Sequence, residues 1–306
     1  MLCAGRVWYN RCMGTRGTIA VLAAAVLAAC NDKPEPQTPQ EMYARVQELL
    51  LPNVEHDASD FEQALVWLRR AAEAGLLQAQ TDLGGIYLEG GKAGVKADGK
   101  QAFYWFSKAA EQGSKESLYY MGTIMYTGKN VPVDRAKALE YWQQAAEADV
   151  AEAQLRLGAE LVQADAPDDV QRGVEWLTRA LQAKAPGVAA QAACALGNIY
   201  AKGKPGIAVD MAEAARWYEI AANGGDSAAQ LVYALLLMQG EVVAQDSARG
   251  MRYLKLSAGQ DNLRAIALLI NMLRNGKDAE EHEQEANAWA ERLEKLQRRA
   301  SGAAHN

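Results

Sequence analysis

Among side chains able to do covalent chemistry, Cys30 sits in the most specific setting, closing the tetrapeptide Leu27-Ala28-Ala29-Cys30. It follows an uncharged run from Ile19 to Ala29, itself preceded by Arg6, Arg11 and Arg16. That run is too short to span a bilayer but suits the core of a signal peptide. The tetrapeptide matches the bacterial lipobox, where two small residues let signal peptidase II cut before a cysteine whose sulfur carries diacylglycerol. Residues 1–29 therefore read as a lipoprotein signal peptide, with Cys30 as the lipid attachment site. An ordinary secretory leader is the plainer alternative. Because Trp8 and Cys3 are atypical of the region before a signal core, Met13 is a second candidate start.

Other reactive residues are sparse. Histidines occur at 56, 282 and 305, none near a nucleophile or ligand in sequence. Glu55-His56-Asp57 with Asp60 could hold a metal, but acidic clusters beside helix starts are commonplace. Gly90-Gly91-Lys92-Ala93-Gly94 lacks the Gly-Lys-Ser/Thr ending of a phosphate-binding loop and reads as a structural turn. No catalytic set, metal or cofactor is expected. With Cys3 and Cys12 in the leader and Cys30 acylated, Cys194 is left alone, so one mature chain holds no disulfide framework. Cys194 reads as a small packed hydrophobe.

The elements behind these residues are periodic. Trp67, Trp105, Tyr141, Trp176, Trp217, Tyr253 and Trp289 recur at intervals of 38, 36, 35, 41, 36 and 36. Such a period indicates stacked helix pairs. Seven residues before the first six stand Asp60, Asp98, Asp134, Asp169, Asp210 and Asp246, each expected as an N-cap. Three residues before each aromatic is Ala or Gly, and four after it Ala or Ser, a spacing that shares one helical face. The aromatics are accordingly expected as buried structural anchors, with Trp217→Ala costing about 3–5 kcal/mol. Gly75, Gly113 and Gly225 end the first helix of their repeats, with Asp149 and Lys184 in the same place elsewhere. A second helix follows, carrying Gly84, Gly122 and Gly158 where helices cross closely. Four extra residues around Ala185, Pro186 and Gly187 are assigned to an enlarged turn.

The order Asp, Ala, Trp/Tyr, Ala-Ala-Glu-x-Gly, Ala-Gln-x-x-Leu-Gly-x-x-Tyr resembles the Sel-one-like repeat, a relative of the tetratricopeptide repeat. Residues 103–113 (FYWFSKAAEQG) and 79–87 (AQTDLGGIY) show it best. The resemblance implies an all-α, right-handed superhelical solenoid of about six helix pairs and a C-terminal capping half repeat. The organisation expected is a signal peptide at 1–29, a Pro-rich disordered spacer at 30–40, a capping helix and linker at 41–58, the solenoid at 59–277, a capping helix at 278–300 and a disordered tail at 301–306.

Loss of the leader takes three arginines and no acid, leaving 29 basic against 38 acidic residues, a net charge of −9. Such a body disfavours nucleic acid and charge-driven adhesion to anionic lipid, leaving anchorage to the acyl chains. The resemblance, anchor and missing catalytic set imply a non-enzymatic envelope lipoprotein. It would face the periplasm, with the outer membrane favoured over the inner, and scaffold a protein or peptide in its groove. Help in assembling a polysaccharide secretion apparatus is the alternative, and an enzyme acting on cell-wall or β-lactam substrates the weakest reading. Tetratricopeptide arrays line their concave side with first helices, so Tyr104, Lys108, Glu140, Gln144 and Arg216 are expected to border the groove. A solvated helix face is the competing account.

Overall fold

The computed structural model describes residues 35–50, 57–91, 94–276 and 280–303; among them lie 14 α-helices and no β-sheet. Cys30 and the leader fall outside the described residues. The helices are α1 (Pro39–Leu49), α2 (Ala58–Glu73), α3 (Leu77–Glu89), α4 (Gly99–Glu111), α5 (Lys115–Thr127), α6 (Arg135–Glu147) and α7 (Ala151–Leu161). They continue as α8 (Pro167–Ala180), α9 (Pro186–Lys202), α10 (Met211–Asn223), α11 (Ser227–Gln239), α12 (Ser247–Gly259), α13 (Leu263–Asn275) and α14 (Glu283–Ala303). No described helix is long and apolar enough to cross a membrane.

The chain divides into two compact units. The first takes residues up to Leu83 together with Gly94, and the second takes Gly84–Gly91 and everything from Val95 onward. In the first, α1 lies against α2, and Tyr43 donates to Asp82 at 2.6 Å. In the second, each helix touches its successor, and the most extensive contacts run from a second helix to the first helix of the next repeat.

Carboxylates start many of these helices. Asp98, Asp134, Asp210 and Asp246 are N-caps, each accepting from a backbone N–H one turn on. Two assignments shift. In α2 the cap is Asp57, and Asp60 returns the bond to the Asp57 N–H in a capping box. Helix α8 starts from Ala166 with Pro167 in its first turn, so Asp169 sits inside the helix and pairs with Arg172 at 3.2 Å. Proline has a preset φ and no N–H to satisfy, so it starts a helix without a carboxylate.

The turn between paired helices needs a left-handed residue. Gly75, Gly113 and Gly225 take φ of 91, 95 and 92°, and Asp149 and Asp261 take 62 and 61° at the same repeat position. Aspartate tolerates this region because its short side chain bonds locally. Lys184 keeps a negative φ. There Ala185 caps a 17-residue α9, so Ala185–Gly187 open the helix and do not enlarge the turn. Boundaries also move at the ends. Thr38 and Glu41 form a capping box that starts α1 at Pro39, inside the expected spacer, and α14 runs to Ala303, into the expected tail.

Candidate functional site

What repeats along the first helices is what they bury. The residue after each aromatic (Leu68, Phe106, Trp142, Leu177, Tyr218, Leu254) is at most 3% exposed. The aromatics lie shallower. Trp105, Trp176 and Tyr253 are buried, whereas Trp67, Tyr141, Trp217 and Trp289 are only partly so. In the six full repeats the deepest position is therefore the residue after the aromatic, while the aromatic itself is buried in three of them and partly buried in the others. The small residues three before and four after the aromatic are also three or four positions from this deep residue, and the three together form the buried stripe.

Close approach explains the glycines facing it. A Cβ on Gly84 would meet the Phe106 ring at 2.9 Å, on Gly122 the Trp142 ring at 2.5 Å, on Gly158 the Leu177 side chain at 2.8 Å and on Gly197 the Tyr218 ring at 2.8 Å. The equivalent positions of the last two pairs are Ala234 and Ile270, which share a hydrophobic cluster with Leu254 and Ala290. A second recurring feature is the Gln of the Ala-Gln motif, to which the sequence assigned no role. Gln80, Gln154 and Gln230, each 4% exposed, donate from Nε2 to Ala72, Ala146 and Ala222 carbonyls at 3.1–3.2 Å, tying the second helix to the end of the first. Their signal was a Gln one residue after the small residue opening the second helix.

The aromatic layer is partly covered by arginines. Arg70, Arg179 and Arg292 stand three residues after Trp67, Trp176 and Trp289 and lie 4.7, 4.6 and 5.4 Å from those ring centroids. In α10 and α12 the same position is Ile220 and Leu256, 51% and 55% exposed. The predicted groove residues are all on the wetter face of first helices. Tyr104 is 49% exposed and meets Trp105 edge-on at 5.0 Å. Lys108 pairs with Glu111 at 2.9 Å, raising its pKa, and Arg216 pairs with Glu213 at 3.2 Å. Glu140 and Gln144 are exposed on α6.

A cleft of about 430 Å³ opens elsewhere on this face, bordered by Ala222, Asn223, Gln230, Arg249, Arg252, Tyr253 and Leu256. Arg249 reaches Glu219 at 2.5 Å and lies over the Tyr233 and Tyr253 rings, while the Tyr253 hydroxyl donates to Asn223 Oδ1 at 2.6 Å. Burial, then the Glu219 carboxylate, push the Tyr233 phenol to about 12, keeping it neutral. Cys194 is a different case. Burial, then Asp226, push its thiol to about 12, away from thiolate chemistry. His282 is exposed, 3.9 Å from Glu285; His56 and His305 fall outside the described residues. Among the described residues no group of three or more His, Cys, Asp or Glu side chains is arranged to hold a metal.

The helix register coincides with a family profile. The Sel1 repeat matches residues 54–76, 77–114, 115–150, 151–184, 190–226 and 227–262. The chain belongs to the Sel1-repeat family. This confirms the resemblance read from the motif, and with it the all-α solenoid class. Each full match frames a second helix with the first helix after it, the contact that the glycines make close. A Sel1 repeat protein from Oxalobacter formigenes is similar in structure, with a TM-score of 0.70 and 25% identity over 82% of this chain and 99% of that one. So is c5321, a protective antigen present in uropathogenic Escherichia coli strains displaying an SLR fold, with a TM-score of 0.65 and 27% identity over 84% of this chain. The match spans about half (54%) of the c5321 chain. No curated protein matches significantly. Sel1-repeat proteins generally act as protein–protein interaction scaffolds, and the fold is typically non-catalytic.

Proposed function

We propose that this Sel1-repeat chain is a lipid-anchored scaffold of the bacterial cell envelope, facing the periplasm and holding a protein or peptide against its first-helix face. One observation carries the reading: the small residues three before and four after each aromatic are buried in all six repeats, while the exposed first-helix positions change from repeat to repeat. Before the aromatics these read Val66, Tyr104, Glu140, Glu175, Arg216 and Arg252, and three after them Arg70, Lys108, Gln144, Arg179, Ile220 and Leu256. In a repeat array, exposed positions free of the packing constraint are where partner choice is encoded. The lipobox supports the address, and the polar stretch from Asn31 to Gln37, with Pro34 and Pro36, ahead of α1 supports a tether that holds the body away from the bilayer.

Two measurements test this. Radiolabelled palmitate is expected to label the wild-type chain and not Cys30→Ala; a labelled variant removes the anchor. Crosslinking in intact envelopes, then purification of the chain, is expected to recover a defined partner. Recovery of nothing above background counts against the scaffold.

A further inference from the structure

The cleft bordered by α10, α11 and α12 combines committed acceptors with hydrogen-bond donors left over. Several of its acceptors already have partners. Asn223 Oδ1 takes the Tyr253 hydroxyl proton, Gln230 Oε1 takes an N–H of Gln260 at 2.9 Å, and the Ala222 carbonyl takes Gln230 Nε2. The nearby carboxylate of Glu219 is neutralised by Arg249. Donors remain. With its oxygen committed to Tyr253, Asn223 has amide N–H groups to offer, and exposed Arg252 makes no ion pair among the described residues. A cleft with surplus donors and one uncompensated positive charge, on a body of net charge −9 once the leader is gone, selects an anion and discourages its binding elsewhere.

The apolar part of the site adjoins these donors. Leu256 borders the cleft, and Ile220 lies one helical turn before Asn223 on α10. Both are more than half exposed, at a position that is Arg, Lys or Gln in the other repeats and in α14. An isolated inorganic anion would leave these side chains in water. A peptide segment with a carboxylate beside apolar side chains would use both parts.

We propose that the cleft binds an acidic peptide segment, with Arg252 and Asn223 donating to its carboxylate and Ile220 and Leu256 covered by its flanking apolar side chains. This rests on the scaffold reading and names the partner's chemistry at one place on the face. The test uses the full chain in detergent micelles and three fluorescein-labelled nonapeptides read by anisotropy: Ser-Gly-Ile-Glu-Leu-Asp-Leu-Gly-Ser, its Gln/Asn counterpart and its Lys/Lys counterpart. The acidic peptide is expected to bind at least about tenfold more tightly than the amide peptide, the ratio that one charge-assisted contact supports. R252E and R252Q should erase that preference, and L256N should weaken the acidic peptide with the preference intact. Arg252 is exposed, so these variants should keep the wild-type thermal melt. Equal affinity for acidic and amide peptides, no binding of either, or a preference that survives R252E overturns the proposal.

A photo-crosslinking amino acid placed in turn at positions 104 and 256 in intact envelopes separates the two readings. Products from 256 that acidic peptide competes away agree with the cleft proposal. Products from 104 alone overturn the cleft and leave the scaffold standing, and products from neither overturn both.

Discussion

At the residue scale, the deciding position is the one after the aromatic. Trp142 fits only because Gly122 opposite it has no Cβ, so Gly122→Ala is expected to cost about 1–3 kcal/mol by overpacking. Pairing it with Trp142→Leu should recover part of that loss; additive losses in a urea double-mutant cycle would refute the contact. The two neighbouring classes of tryptophan also separate by hydrogen bonding. Trp142 Nε1 donates to the Tyr119 carbonyl at 3.2 Å, whereas Trp217 Nε1 is buried without a partner among the described residues. Trp142→Phe should cost about 1–3 kcal/mol, and Trp217→Phe should stay within about 1 kcal/mol of wild type because it removes an unsatisfied donor. The expected 3–5 kcal/mol cost of an alanine substitution belongs to Tyr218, at 3% exposure, more than to the partly buried Trp217. The constant aromatic was conspicuous in the sequence. The deeper position varies among Leu, Phe, Trp and Tyr, so only burial reveals it.

At the element scale, the starts of four first helices were legible from Asp98, Asp134, Asp210 and Asp246, and two were misread, where Asp57 caps α2 in place of Asp60 and Pro167 starts α8. Asp134→Ala is expected to lower stability by about 1 kcal/mol. Asp169→Ala should change little, because Pro167 starts α8 and the Asp169–Arg172 pair is exposed. Equal losses in thermal melts would contradict this distinction. The capping helix α14 is joined to α12 by Lys255 and Glu285 at 2.8 Å, and the Lys255 hydrogen bond holds the Glu285 carboxyl below its ordinary range. A depressed folded-state pKa stabilises above the unfolded value and ceases to do so as pH falls through the folded one. Acidification should therefore loosen α14, by at most about 1 kcal/mol for a surface pair. Glu285→Gln should remove that part of the pH dependence in an acid titration followed by Trp289 fluorescence.

At the scale of the whole molecule, each repeat borrows stability from its neighbours, so damage should stay local. Ala286, Trp289, Leu293 and Leu296 of α14 belong to the same hydrophobic cluster as Leu254 of α12 and Leu269 of α13. Removing residues 277–306 is expected to raise amide hydrogen exchange in α12 and α13 while leaving α5 to α7 unchanged. A uniform rise along the chain would show that the array unfolds as one unit.

Periodicity determined the all-helical class, the repeat frame and the turn glycines, because these follow from local rules: capping, left-handed turns and the spacing of one helical face. Exposed first-helix residues could also be named, since they change in charge and polarity while the packed positions stay small or apolar. Tertiary structure alone decided which residue of each repeat goes deepest, which glycine answers which ring, and where donors and apolar side chains converge. Those outcomes depend on contacts between helices about 20 to 40 residues apart in the chain, as in Gly122 with Trp142 and Arg249 with Glu219. Spacing within one helix carries no information about which side chain its neighbour will present.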